Sequence, residues 1–404
     1  MIPYGKQDIN SEDIEAVINV LKSDFLTQGP QVPAFEKCVA EYAGAKYGCA
    51  ANSATSALHI ACLAIGLGKG DELWTSPNTF VASANCALYC GAQVDFVDID
   101  PKTYNICPEK LEHRLAKAKK LGKLPKVIVA VHLCGQSCDM KTIYKLSKIY
   151  GFKIIEDASH AVGGRYLDSK IGDCRYSDIT IFSFHPVKIV TTAEGGIALT
   201  NNNYLQERMK LFRTHGITRD ENLMHKVPDG GWYYEQIELG YNYRMTDLQA
   251  ALGISQMNRV DEFVSSRHKQ AQRYDDRLKD LPIILPFQAD TCYSSFHLYV
   301  IRLNLDLIEK SHKQVFKELR SKNIGVNLHY IPVHLHPYYQ TMGFKSGDFP
   351  EAEQYSKEAI SIPIFHGLKK DQQDVVIQAI TEVLACTSVL FLLEEAAKEY
   401  LVKI

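Results

Sequence analysis

Residues 179–196 read ITIFSFHPVKIVTTAEGG, and this stretch decides how the rest of the chain is interpreted. An apolar strand ends in the hydroxyl of Ser183 and the imidazole of His185. A proline then stops the strand, Lys188 follows, and two adjacent glycines close the turn. Glycine lets the backbone come close to a ligand. The stretch therefore predicts a buried strand that presents one lysine at its carboxyl end.

A second apolar strand, in the segment IIEDASHA, delivers Asp157 and His160 at its own carboxyl end. In open α/β sheets, ligands bind outside the carboxyl ends of the strands. A lysine and a carboxylate presented there together are what pyridoxal phosphate requires, one as a Schiff base and one as partner of the pyridinium nitrogen. Lys188 and Asp157 therefore predict a site for this cofactor, with a solvated loop lysine and a strand-end cap as the structural alternatives.

Composition is that of an ordinary globular protein. The 404 residues are 46% hydrophobic and 23% charged, with a formal net charge of -2, so no general affinity for nucleic acid or membrane surfaces is expected. No signal peptide or membrane-spanning run is visible, and the eleven cysteines are mostly scattered, which favours a reduced cytoplasmic protein. The pair Cys134 and Cys138, beside His132, lacks a second pair, so no metal site is expected.

Strand and helix patterns alternate over the first half of the chain, which predicts a mostly parallel sheet covered on both faces. The strand candidates are Tyr47–Ala51, Glu72–Ser76, Gln93–Ile99, Lys126–Leu133, Phe152–Ala158, Ile179–His185 and Gly195–Thr200. We expect a large α/β domain over residues 1–252 and a small α+β domain over 253–385. A helical extension over 386–404 would complete the chain, without an assigned role.

Two further segments carry a pattern of their own. Residues 8–22 have helical spacing that places four apolar side chains, from Ile14 to Leu21, on one face. Residues 214–247 form a long polar connection, and such connections are usually functional or disordered. Its dense aromatic residues, among them Trp232, argue against disorder.

A phosphate site is predicted in the segment CAANSATSALHIA. Ser53, Thr55 and Ser56 place hydroxyls where the first amides of a helix lack partners. The same residues are compatible with an ordinary N-cap. Phe80 is a candidate to stack on a planar cofactor or to pack in the core, and His160 is a candidate for the cofactor's ring oxygen or for a structural histidine.

Seven ordered blocks together resemble the DegT/DnrJ-type sugar-nucleotide aminotransferases, members of the fold-type I pyridoxal phosphate enzymes. The blocks are FLTQGP, NSATSALHIA, EDASHAVGG, FSFHPVK, AEGG, LGYNYRMTDLQAALG and HYIPVHLHPYY. They extend from about Ile2 to about Ala385. Ala193 departs from the pattern, because family members often have glycine there. A subset of the family replaces the lysine with histidine and dehydrates its substrate, but this chain keeps Lys188.

The resemblance implies roles for individual residues. Lys188 would form the Schiff base and then move the proton, and Asp157 would pair with the pyridinium nitrogen. The other implied cofactor ligands are Thr55, Ser56 and Ser183 at the phosphate, Asn242 reaching in from a partner subunit, Phe80 on the ring and His160 near its 3′-oxygen. The implied substrate pocket comprises Tyr4, Lys6, Thr27, Gln28, His185, His329, Tyr330 and His334.

The resemblance also implies L-glutamate and a UDP-linked keto sugar as substrates, and a homodimer with shared active sites. The segments FSFHPVK, THGITRD, WYYEQ and NYRMTD are most similar to members that aminate C4 of UDP-4-keto-6-deoxy-N-acetyl-β-L-altrosamine in pseudaminic acid synthesis. The same chemistry on UDP-4-keto-6-deoxy-GlcNAc or on a C3-keto sugar is the nearest alternative. A cofactor-binding regulator and a binding protein without cofactor are more distant alternatives.

Overall fold

The computed structural model describes residues 1–385, so the expected extension over 386–404 lies outside the described residues. The helices are α1 (Ser11–Leu21), α2 (Gln31–Ala43), α3 (Ala54–Ile65), α4 (Ala82–Tyr89), α5 (Pro108–Leu121), α6 (Met140–Tyr150), α7 (Asn203–Arg213), α8 (Asp247–Met257), α9 (Val260–Leu278), α10 (His312–Ser321), α11 (Pro337–Gln340), α12 (Pro350–Glu358) and α13 (Lys370–Leu384). The strands are β1 (Tyr47–Ala51), β2 (Glu72–Thr75), β3 (Gln93–Phe96), β4 (Val127–Val131), β5 (Lys153–Asp157), β6 (Arg165–Tyr166), β7 (Ser169–Lys170), β8 (Ile179–Ser183), β9 (Gly196–Thr200), β10 (Ile217–Thr218), β11 (Glu235–Gln236), β12 (Ile283–Ile284), β13 (Cys292–Tyr293), β14 (Tyr299–Leu303) and β15 (Ala359–Ile362).

A seven-stranded sheet forms the centre of the large unit, in the order β1-β9-β8-β5-β4-β2-β3. All seven predicted strands are present, and most are shorter than predicted. The pairs from β3 through β8 are parallel, whereas β9 pairs antiparallel with both β8 and β1. The prediction of a mostly parallel sheet in an α/β fold is confirmed.

The central strands are apolar because helices cover both faces of the sheet. Every residue of β4 and of β8 is buried. One core lies between the sheet and α2, α5 and α6, and a second lies between the sheet and α3, α4 and α7. This double cover leaves the strand ends as the places where polar side chains can reach solvent or a ligand.

The register aligns the carboxyl ends of the strands that carry the predicted site. Val131 of β4 lies opposite Asp157, and Asp157 lies opposite Ile181 of β8. On the other side of β8, Ser183 lies opposite Gly196, the first residue of β9. The predicted cofactor residues therefore come to one edge of the sheet through strand pairing alone.

A smaller unit is built on the antiparallel sheet β12-β14-β15, with α10 and α13 packed on it. The expected boundary between residues 252 and 253 falls inside α8, which packs on α1 and α2. Helix α9 joins the two units, because its residue Phe263 belongs to a core of the large unit and Tyr274 to the core of the small one. The division at residues 252 and 253 stays a prediction.

Helix α1 turns its apolar stripe outward. Ile14 is 54% exposed and Leu21 is 57% exposed, whereas the carboxylate of Asp13 is buried. Asp13 accepts hydrogen bonds from Gln256 (2.6 Å) and Arg259 (2.7 Å), and these contacts fix which side of the helix faces the protein. The apolar face predicted from the sequence exists, but it does not pack within the described part of this chain.

Candidate active site

Lys188 lies in the loop that joins β8 to β9. The amide of Phe184 donates to Gly195 O and the amide of Thr192 donates to Phe184 O, each at 2.9 Å, so the loop returns tightly to the strand end. Burial lowers the pKa of Lys188 to about 8, and the Asp157 carboxylate opposes part of that shift. Near neutral pH a fraction of this amine is therefore uncharged and able to act as a nucleophile.

Asp157 ends β5 and is 6% exposed. One carboxylate oxygen accepts a hydrogen bond from the Ser83 hydroxyl at 2.6 Å. The other accepts from the Ser159 amide at 3.1 Å. Buried carboxylates are costly unless they are hydrogen-bonded or paired, and these donors hold Asp157 in place beside Lys188.

The phosphate cradle predicted at the start of α3 has the expected geometry. Ser53 is the N-cap, with its hydroxyl accepting from the Ser56 amide at 3.1 Å, so the N-cap interpretation is confirmed for this residue. The first amides of a helix have no acceptor inside it. A Cβ at Gly196 would lie 2.4 Å from Ala54 N, so only glycine lets β9 start against this helix end. Thr55, Ser56 and Ser183 line the resulting concavity.

His160 and Tyr330 meet above this edge of the sheet. The Cys134 amide donates to His160 Nδ1 at 3.3 Å, so the ring proton is on Nε2, which faces the Tyr330 hydroxyl at 3.2 Å. Burial, and then the charges of Lys188 and His329, hold the pKa of His160 well below its usual range. Phe80 is 57% exposed at the rim, with its ring 6.0 Å from that of Tyr330, so it is not a core residue.

A single cavity of about 900 Å³ brings most of the predicted residues together. Eleven of them line it: Tyr4, Thr55, Ser56, Phe80, Asp157, His160, Ser183, His185, Lys188, His329 and Tyr330. This volume is in the upper part of the range for ligand pockets. These eleven residues therefore lie around one cavity, and their roles stay predictions.

Five predicted residues do not line the cavity. Lys6, Thr27, Gln28 and Asn242 are exposed side chains outside it. His334 is fully buried, and its Nε2 lies 3.0 Å from a carboxylate oxygen of Glu353. The ring of His334 is enclosed between α12 and Phe349 rather than turned to the cavity, so the expected place of His334 in the substrate pocket is not seen.

The cavity also contains polar residues that the sequence did not reveal. His297 lies with its ring 4.4 Å from that of His160, and its Nδ1 has no hydrogen-bond partner among the described residues. Asn327, Thr79 and Gln249 line the same space. His297 follows an unremarkable Ser-Ser-Phe run, and the only signal was a polar residue at the start of an apolar strand.

Burial lowers the pKa of three histidines of the cavity, His160, His297 and His329. Burial and the charges of His160 and Lys188 hold the pKa of His297 well below its usual range. Burial and Lys188 lower the pKa of His329 to about 4. Among the described residues that line the cavity there is no arginine. Lys188 is therefore the strongest base that a single chain contributes.

Residues 1–385 contain neither a metal-binding cluster nor a membrane-spanning helix. No group of three or more His, Cys, Asp or Glu side chains is placed to hold a metal ion. No helix in this part of the chain combines the length and the apolar composition that crossing a membrane requires.

The chain is similar to known sugar aminotransferases in both sequence and structure. Residues 7–381 match the DegT/DnrJ/EryC1/StrS aminotransferase family. The spore coat polysaccharide biosynthesis protein SpsC of Bacillus subtilis is 38% identical, over 95% of this chain and 97% of SpsC. The UDP-4-amino-4,6-dideoxy-N-acetyl-beta-L-altrosamine transaminase of Campylobacter jejuni is 38% identical, over 90% of this chain and 92% of that enzyme. The solved structure of Helicobacter pylori PseC, an aminotransferase of pseudaminic acid biosynthesis, superposes with a TM-score of 0.85 at 31% identity, over 95% of this chain and 99% of PseC.

Members of this family depend on pyridoxal phosphate. The residues of the cavity fit that cofactor. The amine of Lys188, the buried carboxylate of Asp157 and the N-terminus of α3, against which Gly196 packs, all face the same cavity. The chain therefore belongs to the DegT/DnrJ/EryC1/StrS aminotransferase family, and it is a pyridoxal-phosphate-dependent sugar aminotransferase.

Proposed function

We propose that this enzyme transfers an amino group from L-glutamate to C4 of UDP-4-keto-6-deoxy-N-acetyl-β-L-altrosamine, a step in pseudaminic acid synthesis. The observation that carries the reaction type is Lys188, with its lowered pKa, beside Asp157 in one cavity. The likeness to the Campylobacter transaminase and to PseC supports the sugar.

When bound, pyridoxal phosphate supplies an electron sink for charge at the carbon that loses its proton. Lys188 would hold the cofactor, and its amine would take the proton from the α-carbon of glutamate. Asp157 would pair with the ring nitrogen. The phosphate would be held by Thr55, Ser56, Ser183 and the first amides of α3, and Phe80 and His160 would contact the ring.

Neutral histidines suit this proton transfer. His160, His297 and His329 surround Lys188, and burial keeps their pKa values below the physiological range. They can therefore form hydrogen bonds without adding a positive charge. Such a charge would lower the pKa of Lys188 further. The proton has one strong acceptor in this space, the lysine amine.

The sugar-nucleotide pocket comprises Tyr4, His185, His329 and Tyr330 within the cavity. Lys6, Thr27 and Gln28 are exposed outside the cavity and are proposed as further contacts of the sugar nucleotide, whereas the buried His334 is not. A UDP-sugar carries a diphosphate and glutamate carries carboxylates, yet the described lining of the cavity includes no arginine. The missing positive charge is expected from a second subunit.

A homodimer with shared active sites is the second part of the proposal. Val227 is 90% exposed and Trp232 is 73% exposed in the segment between α7 and α8, and the outward face of α1 is apolar. Exposed apolar patches of this kind mark contact surfaces. Asn242 lies on the same segment and is exposed, which supports its proposed contact with the neighbouring subunit. The ten cysteines of residues 1–385 are free thiols, which suits the proposed cytoplasmic location.

A different keto sugar is the second candidate, because SpsC is as similar in identity as the Campylobacter enzyme. The gluco-configured substrate, UDP-4-keto-6-deoxy-GlcNAc, differs at one ring carbon, and the same groups would perform the chemistry. A C3-keto sugar would need the sugar ring to turn in the pocket.

A single-turnover titration tests the proposal. The enzyme is converted to its amine form with glutamate, freed of amino acid, and offered the altro and gluco 4-keto UDP-sugars separately. We expect the absorbance of the resting cofactor to return with the altro sugar. Return with the gluco sugar alone would assign the second candidate, and return with neither would refute both.

A further inference from the structure

Two buried hydroxyls form a hydrogen-bonded series that ends at the Asp157 carboxylate. Ser83 Oγ lies 2.6 Å from Asp157 Oδ2, and Thr79 Oγ1 lies 2.7 Å from Ser83 Oγ. Ser83 is fully buried and Thr79 is 2% exposed. Thr79 lines the cavity, whereas Ser83 does not.

The number of available protons fixes the donor direction of these hydrogen bonds. An ionised carboxylate only accepts hydrogen bonds, so the single proton of Ser83 must point to Asp157. The Ser83 oxygen can then only accept from Thr79. The three groups form a relay, Thr79 to Ser83 to Asp157, in which each bond polarises the next.

An ordinary capping role does not explain Ser83. Helix α4 begins at Ala82 with Val81 as its N-cap, and no side chain caps it. The Ser83 hydroxyl is directed to Asp157, 74 residues away in sequence, and not to the backbone of its own helix. Ser83 donates to the Asp157 carboxylate and Thr79 donates to Ser83, so the buried pair is oriented toward that carboxylate.

We propose that Ser83, backed by Thr79, is a positioning residue that holds Asp157 ionised and aimed at the ring nitrogen of the cofactor. This inference rests on the proposed role of Asp157. A donated hydrogen bond favours the carboxylate over the carboxylic acid, and an ionised Asp157 leaves the shared proton on the ring nitrogen. Without the Ser83 donor, that proton moves toward the aspartate, and the ring withdraws electrons less strongly.

Ser83→Ala is the direct test, read by the ¹⁵N chemical shift of the ring nitrogen in enzyme loaded with ¹⁵N-labelled pyridoxal phosphate. We expect the wild-type shift to be that of a protonated ring nitrogen and the variant shift to move toward the unprotonated value. Turnover should fall about tenfold or more, as for other outer partners of a reactive group, with little change in KM.

Ser76→Ala is the matched control. Ser76 is buried in the same segment, and its hydroxyl has no hydrogen-bond partner among the described residues. Its removal should leave the nitrogen shift unchanged. Thr79→Val keeps the shape of the side chain and removes only the outer donor, so it should move the shift in the same direction by a smaller amount and serves if Ser83→Ala does not fold.

The outcomes separate this inference from the proposed function. A protonated ring nitrogen in both Ser83→Ala and Thr79→Val would overturn it, and so would an equal change in Ser76→Ala. Failure of the wild-type enzyme to aminate either sugar would refute the proposed substrate, yet the nitrogen shift would still report on Ser83. If the nitrogen shift is unchanged in Asp157→Asn, Asp157 does not pair with the ring nitrogen, and the inference is refuted.

Discussion

Lys188 is the residue on which the chemistry depends, and its environment sets a pH dependence. Its pKa is lowered to about 8, mainly by burial. Only the neutral amine attacks an aldehyde, so capture of pyridoxal phosphate by the apoprotein should accelerate as pH rises, with a midpoint near pH 8, and level off above it. Stopped-flow absorbance across this range measures the profile. A midpoint near pH 10.5, the ordinary value for lysine, would contradict the environment described.

Asp157→Asn tests the electrostatic part of that profile. The Asp157 carboxylate raises the pKa of Lys188 and opposes the effect of burial. Replacing it with a neutral amide of similar shape removes the attraction for the ammonium form. The midpoint of capture should therefore move to lower pH than in the wild type. A midpoint that stays in place, or moves upward, would show that the two groups do not interact.

Lys188→Ala should abolish transamination, because no other group in the described cavity can both attach the cofactor and move the proton. Lys69→Ala is a matched control, since Lys69 is an exposed lysine in the turn before β2. The control should retain wild-type turnover, and both variants should show the wild-type circular dichroism spectrum. Persistent turnover in Lys188→Ala would refute the assignment of Lys188 as the catalytic lysine.

Ala193 departs from the family pattern, and its backbone conformation explains why glycine is common at this position. It stands where the resembling family often has glycine, and its backbone takes φ of +66°. This left-handed conformation costs an ordinary residue roughly 1–2 kcal/mol. The residue is exposed, and its amide donates to the Thr191 hydroxyl at 3.0 Å, which holds the turn. The preference for glycine therefore follows from the turn that returns the lysine loop to β9.

At the scale of elements, α1 is held by one buried charge. Asp13 accepts from Arg259, Gln256 and Ser255, and it also accepts from the amide of Asn10, the N-cap of its own helix. Removing one partner of a buried pair typically costs about 3–5 kcal/mol. Asp13→Ala should therefore lower the free energy of unfolding by about 3 kcal/mol, measured by chemical denaturation.

Glu15→Ala is the matched control for that prediction. Glu15 is an exposed carboxylate on the same helix, so its removal should change the free energy of unfolding by less than about 0.5 kcal/mol. Equal effects of the two substitutions would mean that the buried network does not hold α1.

The direction of β9 could not be read from its sequence. Gly195–Thr200 has the same apolar composition as its parallel neighbours, yet β9 runs antiparallel to β8. The reason is the connection, because parallel strands need a crossover, usually a helix. The loop between β8 and β9 contains no helix, so β9 turns back beside β8. The same loop carries Lys188.

At the scale of the whole molecule, the site was predictable where it follows strand order and unpredictable where it depends on packing between distant parts. Asp157 and Ser183 end the adjacent strands β5 and β8, and Lys188 follows in the loop after β8, so all three are marked by strand ends that are visible in sequence. His297 and Asn327 come from the smaller unit, and nothing near them in the chain marks a cavity. Sequence spacing also did not show that Glu353 lies against His334, which keeps its ring away from the cavity.

Shared active sites make a sharp prediction for mixed dimers. Suppose one subunit carries Lys188→Ala and the other Asn242→Ala, and the mixed dimer is purified through two different tags. If each site combines Lys188 of one subunit with Asn242 of the other, one site loses both residues and the other keeps both. The mixed dimer should then have about half of the wild-type turnover, because a C2 dimer has two equivalent sites. If each subunit formed its site alone, both sites would be defective, and the mixed dimer would be no more active than the pure Asn242→Ala protein.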